Sequence, residues 1–562
     1  MPDSRHFLVE FLRLARLFWC SEQKRTIRGA ALLLAVLTML QMVMAVLLNR
    51  WSAGLFNALE QHSMADLMTQ IGKLAILFVS GMVLTGSHLF VKRNLVIYWR
   101  DWMTEYVFTR WMKDGAHYLI SHLPGEHDNP DGRIAEDCRI ATESAVSMAH
   151  SLFYSILMLV SFTKVLWSLS GVVMLDLGFV RLPVYGHLVW IAVVYAATAS
   201  WLGWQVSRPL TGATNKRQSA EANFRASLLE ARENSQAIAL IRGEPYERHQ
   251  FRELFHNIRL IWNDQTAAWR NILMFTTGYS MFSMAFPILV SSPRYILEKI
   301  TLGTLMQSAQ AFQHMASALS WPVNNAGGIA EWRASVERIL NLLKVLDDLD
   351  AELAKPDHVI EVRRGDRPVL AFRDLSLVKY DGTVVAQNIN MEIGKGEHVL
   401  ISGNPFTGAK LFRAIAGIRP WGSGVIELPA GGRLFFMPPR PHLPSGTLRN
   451  AICYPSSRRA LSEEEIAQAM GLAGLTNLID KLDTSEKWVH TLSRQELQRL
   501  GMVRLLLNRP EWIFLQEAFD SLEPEDEEQM MRLICDQFPD ATLLTISHMP
   551  NSAALHPRSL EL

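Results

Sequence analysis

The residues whose types and spacing could do chemistry lie in one stretch, Val399 to Gly417, which reads VLISGNPFTGAKLFRAIAG. An apolar run from Val399 to Ser402 leads into a turn at Gly403, and a helix-like segment continues to Gly417. Strand, glycine turn and helix in that order bring backbone N–H groups and a helix N-terminus to one point, a common way to cradle phosphate. The working pattern is G-x-x-x-x-G-K-[ST], with the lysine on the β- and γ-phosphates and the hydroxyl on Mg2+. Laid on Gly403 and Gly408, the pattern puts Ala409 in the lysine place and Lys410 in the hydroxyl place. Asn404, Thr407 and Leu411 complete the candidate loop. Two readings stay open at this point: a nucleotide-binding loop that has lost its two working side chains, or an ordinary strand, turn and helix.

The elements that must position this loop are sketched by composition. At 562 residues the chain exceeds one hydrophobic core, and two or three domains follow. Its 49% hydrophobic residues, 16 Trp and 24 Met, with a mean hydropathy of +0.08, place it between a soluble enzyme and a membrane protein. The 55 Lys and Arg balance 55 Asp and Glu, so no basic field points to nucleic acid. Cys20, Cys138, Cys453 and Cys535 are scattered without metal-ligand or redox spacing, and are expected to be reduced structural thiols with no metal site. Charges interrupt the N-terminal stretch MPDSRHFLVEFLRLARLFWCSEQK, which does not read as a signal peptide.

The first part of the chain reads as helical and membrane-spanning. Leu8, Phe11, Leu12, Ala15 and Phe18 recur at helical spacing, as expected of an amphipathic surface helix over Leu8 to Trp19. Uncharged or weakly charged runs predict six spans, at about residues 30–48, 71–90, 152–175, 187–206, 272–290 and 302–323. The sixth carries Gln307, Gln310, Gln313 and His314, and is expected to line the protein interior or a water-filled path. Lys24, Arg25 and Arg28 before the first span, and the basic residues after the second and fourth, predict both termini in the cytoplasm. Val91 to Ser151 and Ser207 to Asn271 each add about 60 residues between spans, too long for structureless loops, so the helices are expected to continue beyond the membrane. Lys164, near the middle of the third span, is either a substrate-path or charge-pairing residue or a snorkelling lysine.

A charged, proline-containing segment at 347–367 reads as a linker between a membrane domain at 1–346 and a soluble domain at 368–562. Strand-like pieces follow at Val369 to Phe372, Leu375 to Lys379, Asn388 to Ile393 and His398 to Ser402, with the glycine loop after the last. Two more, Trp512 to Leu515 and Ala541 to Ser547, are followed by acids and by His548, an arrangement that suits a mixed α/β nucleotide-binding domain.

Four stretches in order, LISGNPFTGAKLF, FFMPPRPHLPSGTLRNAICYP, TLSRQELQRLGMVRLLLNRPEWIFLQEAFDSLE and TISHMP, resemble the nucleotide-contacting loops of an ABC transporter ATPase domain. In the membrane half NPDGRIAED, EANFRASLLEARENSQAIAL and TLGTLMQSAQAFQHMASALSWPVNN resemble one branch of that family. It is the branch of the peroxisomal fatty-acyl half-transporters and the bacterial bleomycin, vitamin B12 and antimicrobial-peptide transporters. The resemblance covers nearly the whole chain. It implies an exporter-type, six-span α-helical membrane domain followed by an α/β ABC nucleotide-binding domain.

The resemblance also assigns places. Pro439 stands where the family carries a glutamine that reaches Mg2+, and Gln516 where it carries the aspartate that holds Mg2+. The signature reads Leu492, Ser493, Arg494, Gln495, Glu496, so long side chains replace two glycines that allow close approach to a γ-phosphate. Glu517 keeps the catalytic-base place, Asp520 the D-loop place and His548 the switch place. Tyr380 falls near the adenine-stacking aromatic, or is simply a strand tyrosine. Phosphoryl transfer depends on positioned positive charge and metal, so these losses imply weak or non-hydrolytic ATP binding and uncertain Mg2+. Glu136, Asp137 and Glu221 are candidate proton carriers, with salt bridges to Arg133, Arg139 and Arg225 the favoured alternative. The expected protein is an inner-membrane half-transporter, a homodimer or a heterodimer with another half, moving a peptide-like, cobalamin-like or amphipathic substrate among membrane lipids. An ordinary ATP-driven transporter with non-standard residues and a non-transporting regulatory protein are the alternatives.

Overall fold

The computed structural model describes residues 4–122, 129–176, 181–355, 359–379, 382–418, 421–455, 461–547 and 556–562. It has two compact units, Met1–Val107 with Asn129–Asn341, and Phe108–Asp128 with Leu342–Leu562.

The first unit is built of helices α1 (Ser4–Trp19), α2 (Lys24–Glu60), α3 (Met64–Met112), α4 (Cys138–Ser170), α5 (His187–Glu233), α6 (Glu244–Ile296), α7 (Leu302–Leu319) and the start of α8 (Ala326–Leu353). A hairpin of β1 (Val172–Asp176) and β2 (Arg181–Tyr185) joins α4 to α5. Among the described residues five helical segments are long and apolar enough to cross a membrane, and they coincide with the first five expected spans. The third is shorter than expected. Gly171, at φ 60 and ψ −160, stops α4 at Ser170, and the residues to 175 belong to the hairpin. The expected sixth span coincides with α7 and a short helix Trp321–Asn324 but is not among those five. This helix is a central post, touching α2, α4, α5 and α6.

Small residues let the post in. Gly303, Ala309, Ala311 and Ala316 are buried on α7, and a Cβ on Gly303 would stand 2.2 Å from the Ala53 carbonyl oxygen. The first N–H groups of α7 are capped from α2, Leu302 donating to Glu60 at 3.0 Å and Gly303 to Asn57 Oδ1 at 3.0 Å. Around α7 lies an apolar cluster that includes Met42, Phe162, Leu166, Ala192, Phe312 and Met315. On α1, Phe11, Ala15 and Phe18 are buried while Leu8 and Leu12 are exposed, and Phe18 stacks on Trp99 with ring centroids 5.3 Å apart. Lys164 is exposed on α4.

Two sheets make the second unit. One is β13 (Arg558–Glu561), β6 (His398–Ser402), β12 (Thr542–Ile546), β11 (Trp512–Gln516) and β8 (Leu434–Met437), side by side in that order and all parallel. The other runs β3 (Glu361–Arg364), β7 (Gly422–Leu428), β4 (Val369–Val378), β5 (Val384–Gly394). The two strands expected over 369–379 are one strand, β4, with irregular register between Phe372 and Leu375. Helix α9 (Pro405–Ile415) lies between the sheets, its Leu411, Phe412 and Ile415 sharing a core with Phe372, Ile401, Phe514 and Ile546. A helical layer holds α10 (Glu463–Leu472), α11 (Arg494–Asn508) and α12 (Pro524–Gln537) around a second core centred on Leu448, Met470, Trp488, Leu500 and Met530.

Glu427 on β7 joins three strands, accepting from Arg363 at 2.6 Å and Arg373 at 3.0 Å. These guanidinium groups, Arg373 first, hold its carboxyl at about 2 against an ordinary 4.5. A folded-state value below the unfolded one means the stabilisation is complete above about pH 4.5 and is lost as pH falls toward 2. The melting temperature of the native protein is therefore expected to exceed that of Glu427→Gln at pH 6, with the gap closing between pH 4.5 and 2. A gap that is constant with pH would remove the ion cluster as its cause.

Candidate functional site

Because β6, β8, β11 and β12 are parallel, the chain leaves all four at one edge, the edge where open α/β sheets hold ligands. There β6 delivers Gly403, β8 the Pro438–Pro439 turn, β11 delivers Gln516 and Glu517, and β12 delivers Ser547. His548 and Tyr380 lie outside the described residues.

The glycine loop is closed on itself. Asn404 caps α9, its Oδ1 accepting from Phe406 N at 2.9 Å while its carbonyl accepts from Thr407 N at 3.0 Å and Gly408 N at 3.1 Å. Pro405 has no N–H to give. The N–H of Asn404 is taken by the carbonyl oxygen of Leu562 at 3.0 Å. Every backbone donor from Asn404 to Gly408 is thereby engaged within the chain. Gly403 is required by this approach: its φ is +106, and a Cβ there would lie 2.1 Å from Leu562 O. Gly408 has a packing reason, since a Cβ would stand 2.6 Å from Ile546 Cγ2. Thr407, Gly408 and Leu411 are buried, and Ala409 and Lys410 are half-buried on α9.

The other expected residues are also tied into the fold. Ser493 caps α11 in a reciprocal box with Glu496, Ser493 Oγ accepting from Glu496 N at 3.2 Å and Ser493 N donating to Glu496 Oε2 at 2.8 Å. Glu517 adopts φ 44, a left-handed conformation unusual for a side-chain-bearing residue, and its N–H donates to Ile546 O at 2.9 Å. The cleft beside it, lined by Asp520, Thr545 and Ser547, measures about 10 Å3, room for a single water. Gln516 is buried and neutral at the end of β11. No group of three metal-ligating side chains occurs among the described residues. Among the described residues, Ala409, Pro439 and Gln516 occupy the places that the resemblance gives to a lysine and two metal ligands.

Sequence reasoning passed over Gln498 on α11, which is 2% exposed and unites the loops. Its amide nitrogen donates to Pro439 O at 3.2 Å and to Asp520 Oδ1, and its oxygen accepts from Ser521 N at 3.1 Å. A lone amide on the apolar side of LQRLGMVRLLL was the available signal. Arg504, six residues further along the same helix, is buried and donates to the carbonyls of His442 at 2.8 Å and Ala451 at 3.0 Å, tying the segment after Pro439 to α11. Residues 108–122 belong to this unit as well, where Arg413 of α9 donates to Tyr118 Oη at 3.2 Å and Arg110 pairs with Asp347 at 2.5 Å.

In the first unit the expected acids are in ion pairs, though with other partners. Asp137 pairs with Arg338 in a two-pronged contact at 2.5 and 2.8 Å, and Glu221 with Arg217 at 3.4 Å, while Glu136 does pair with Arg139 at 2.5 Å. Helical spacing explains the last two, but the 201 residues between Asp137 and Arg338 made that pair invisible to local reading.

The family profile described as ABC transporter transmembrane region 2 matches residues 14–296, just over half of the chain. The chain belongs to the ABC transporter family. It is a half-transporter of the D subfamily type, a multi-pass membrane domain fused to an α/β domain, and its relatives match over the full length. The chain is 26% identical to the inner membrane ABC transporter ATP-binding protein YddA of Escherichia coli K12, over 97% of this chain and 96% of that one. It is 24% identical to ABC transporter D family member 2, chloroplastic, of Arabidopsis thaliana, over 98% and 86%. Against the lysosomal cobalamin transporter ABCD4 of Homo sapiens the identity is 24% over 99% and 95%.

Proposed function

We propose that this chain is one half of a dimeric inner-membrane ABC-type transporter, both termini cytoplasmic, that moves a peptide-like, cobalamin-like or amphipathic substrate with ATP hydrolysis impaired or absent. The observation that carries this reading is the closed glycine loop, whose backbone donors from Asn404 to Gly408 are spent on Asn404 and Leu562. Ala409, Pro439 and Gln516 remove the lysine and two metal ligands on top of that. One lost donor in a preorganised anion site costs about 10²- to 10³-fold in rate, and several lost together leave little above background.

A second reading, an ordinary ATP-driven transporter with non-standard residues, is favoured by Glu517, which survives in the base place with a strained backbone. Vanadate-sensitive ATPase of the purified dimer in lipid nanodiscs decides between them. The proposal expects turnover indistinguishable from the Glu517→Gln variant. Turnover that is vanadate-sensitive and drops by 100-fold or so in that variant, the size expected for loss of a general base, would establish the second reading instead.

A further inference from the structure

A cavity of about 290 Å3 opens in the first unit between α5, α6 and α7 with the short helix after it. That is near the lower end of small-molecule pockets, about 300 Å3. Its place along the helices is consistent on all three walls. Residues 199–207 of α5 and 272–283 of α6 are the ends of their apolar stretches that adjoin the long extensions of the same helices, and residues 313–324 close the third side.

The chemistry of the wall is uniform in one respect: none of its residues is charged. It is nevertheless rich in hydroxyls and amides. Thr276 gives its hydroxyl proton to Ile272 O at 2.9 Å and Ser320 gives its own to Ala316 O at 3.0 Å, so both keep only acceptor lone pairs for the cavity. Gln313 spends one amide proton on Ser283 O at 3.3 Å and retains a second donor and its oxygen, and Asn324 adds an amide. An aromatic flank is formed by Tyr279, stacked between Phe275 and Tyr195 with ring centroids at 6.2 and 5.5 Å. Two of the basic residues beyond it are engaged elsewhere: Arg208 lies over the Trp204 ring at 5.7 Å, and Arg217 bonds Gln265 at 3.0 Å.

We propose that this cavity binds an uncharged, amide-bearing solute, a short stretch of peptide backbone or its chemical equivalent. A carboxylate or phosphate held there would lack the arginine or lysine that such anions require in a low-dielectric site. Acceptors and donors on the same wall instead suit the N–H and C=O of an amide, whose desolvation is offset only where both are met. Aromatic faces take the apolar remainder of the solute. This assignment rests on the transporter reading above and narrows its substrate class.

The test uses the full chain in nanodiscs without nucleotide, so it is independent of ATP hydrolysis. The probe is N-acetyl-tri-peptide methylamide carrying one diazirine side chain, with lauroyl-coenzyme A and the same peptide bearing a free carboxylate as competitors. Labelling is expected within residues 199–207, 272–283 and 313–324, with the blocked peptide competing at least ten-fold better than either anion. Ala199→Phe, which fills the cavity, is expected to abolish labelling, and Gln313→Glu to move the preference to a peptide with a free N-terminal amine, each in protein that elutes as the native dimer. Labelling elsewhere, or stronger competition by the anions, overturns the proposal even if no variant folds. An active ATPase with labelling in the cavity would overturn the impaired-hydrolysis reading and leave this one standing.

Discussion

The triple variant Ala409→Lys, Lys410→Thr, Gln516→Asp is expected to remain at background ATP turnover although it restores three working side chains at once. The reason lies in the backbone. A phosphate cradle needs N–H groups that point outward, and here Asn404 supplies an acceptor to each of Phe406, Thr407 and Gly408 while Pro405 supplies no donor at all. Lysine at 409 would bring a charge to a loop with no open donors beside it. Adding Asn404→Gly, Pro405→Ser and Phe406→Gly removes the cap and lets the first turn of α9 open, so the sextuple variant is expected to bind trinitrophenyl-ATP at least ten-fold more tightly than the triple. Fluorescence titration of both in Mg2+ measures this. Strong binding by the triple variant alone would mean that the side chains, and not the closed loop, limit the site.

The same contrast explains what could be read in the chain before its structure. Hydropathy predicts six spans, and five of them fall in helices long and apolar enough to cross a membrane among the described residues, because lipid imposes its requirement residue by residue. The sixth, expected to line the interior, is α7, where Gly303, Ala309 and Ala311 carry close packing that no hydropathy window scores. The strands β6, β11 and β12 were legible as short apolar runs between turns. The closure of the glycine loop was not legible, since its partner Leu562 is distant in sequence and arrives through β13, a strand whose residues, RSLE, have almost no strand pattern. Gln498, Arg338 and Arg504 were missed for the same reason. Each satisfies a buried group far along the chain, and the need for a partner is visible in sequence while its identity is not.

Trp488→Ala is expected to destabilise the second unit more than any other single truncation in its helical layer. The side chain is 1% exposed in the core shared by Leu448, Leu478 and Leu492, and its indole N–H donates to Gly446 O at 3.1 Å. Burial of that area and the cavity left behind set the loss at about 3–5 kcal/mol. The carbonyl of Gly446 is left without its indole donor as well. The damage would spread to what hangs on this contact: the short pairing of β9 (Gly446–Thr447) with β10 (Ser485–Glu486), then Leu492 and the Ser493 cap of α11. Hydrogen exchange read on the peptide covering 446–453 is expected to speed up by 100-fold or more, whereas Val489→Ala, at an exposed neighbour, changes it less than three-fold. Trp488→Phe keeps most of the packing and loses only the N–H, so about 1–2 kcal/mol separates it from the native chain. If Phe proved as damaging as Ala, the hydrogen bond to Gly446 rather than the packed ring would be what holds the signature loop in place.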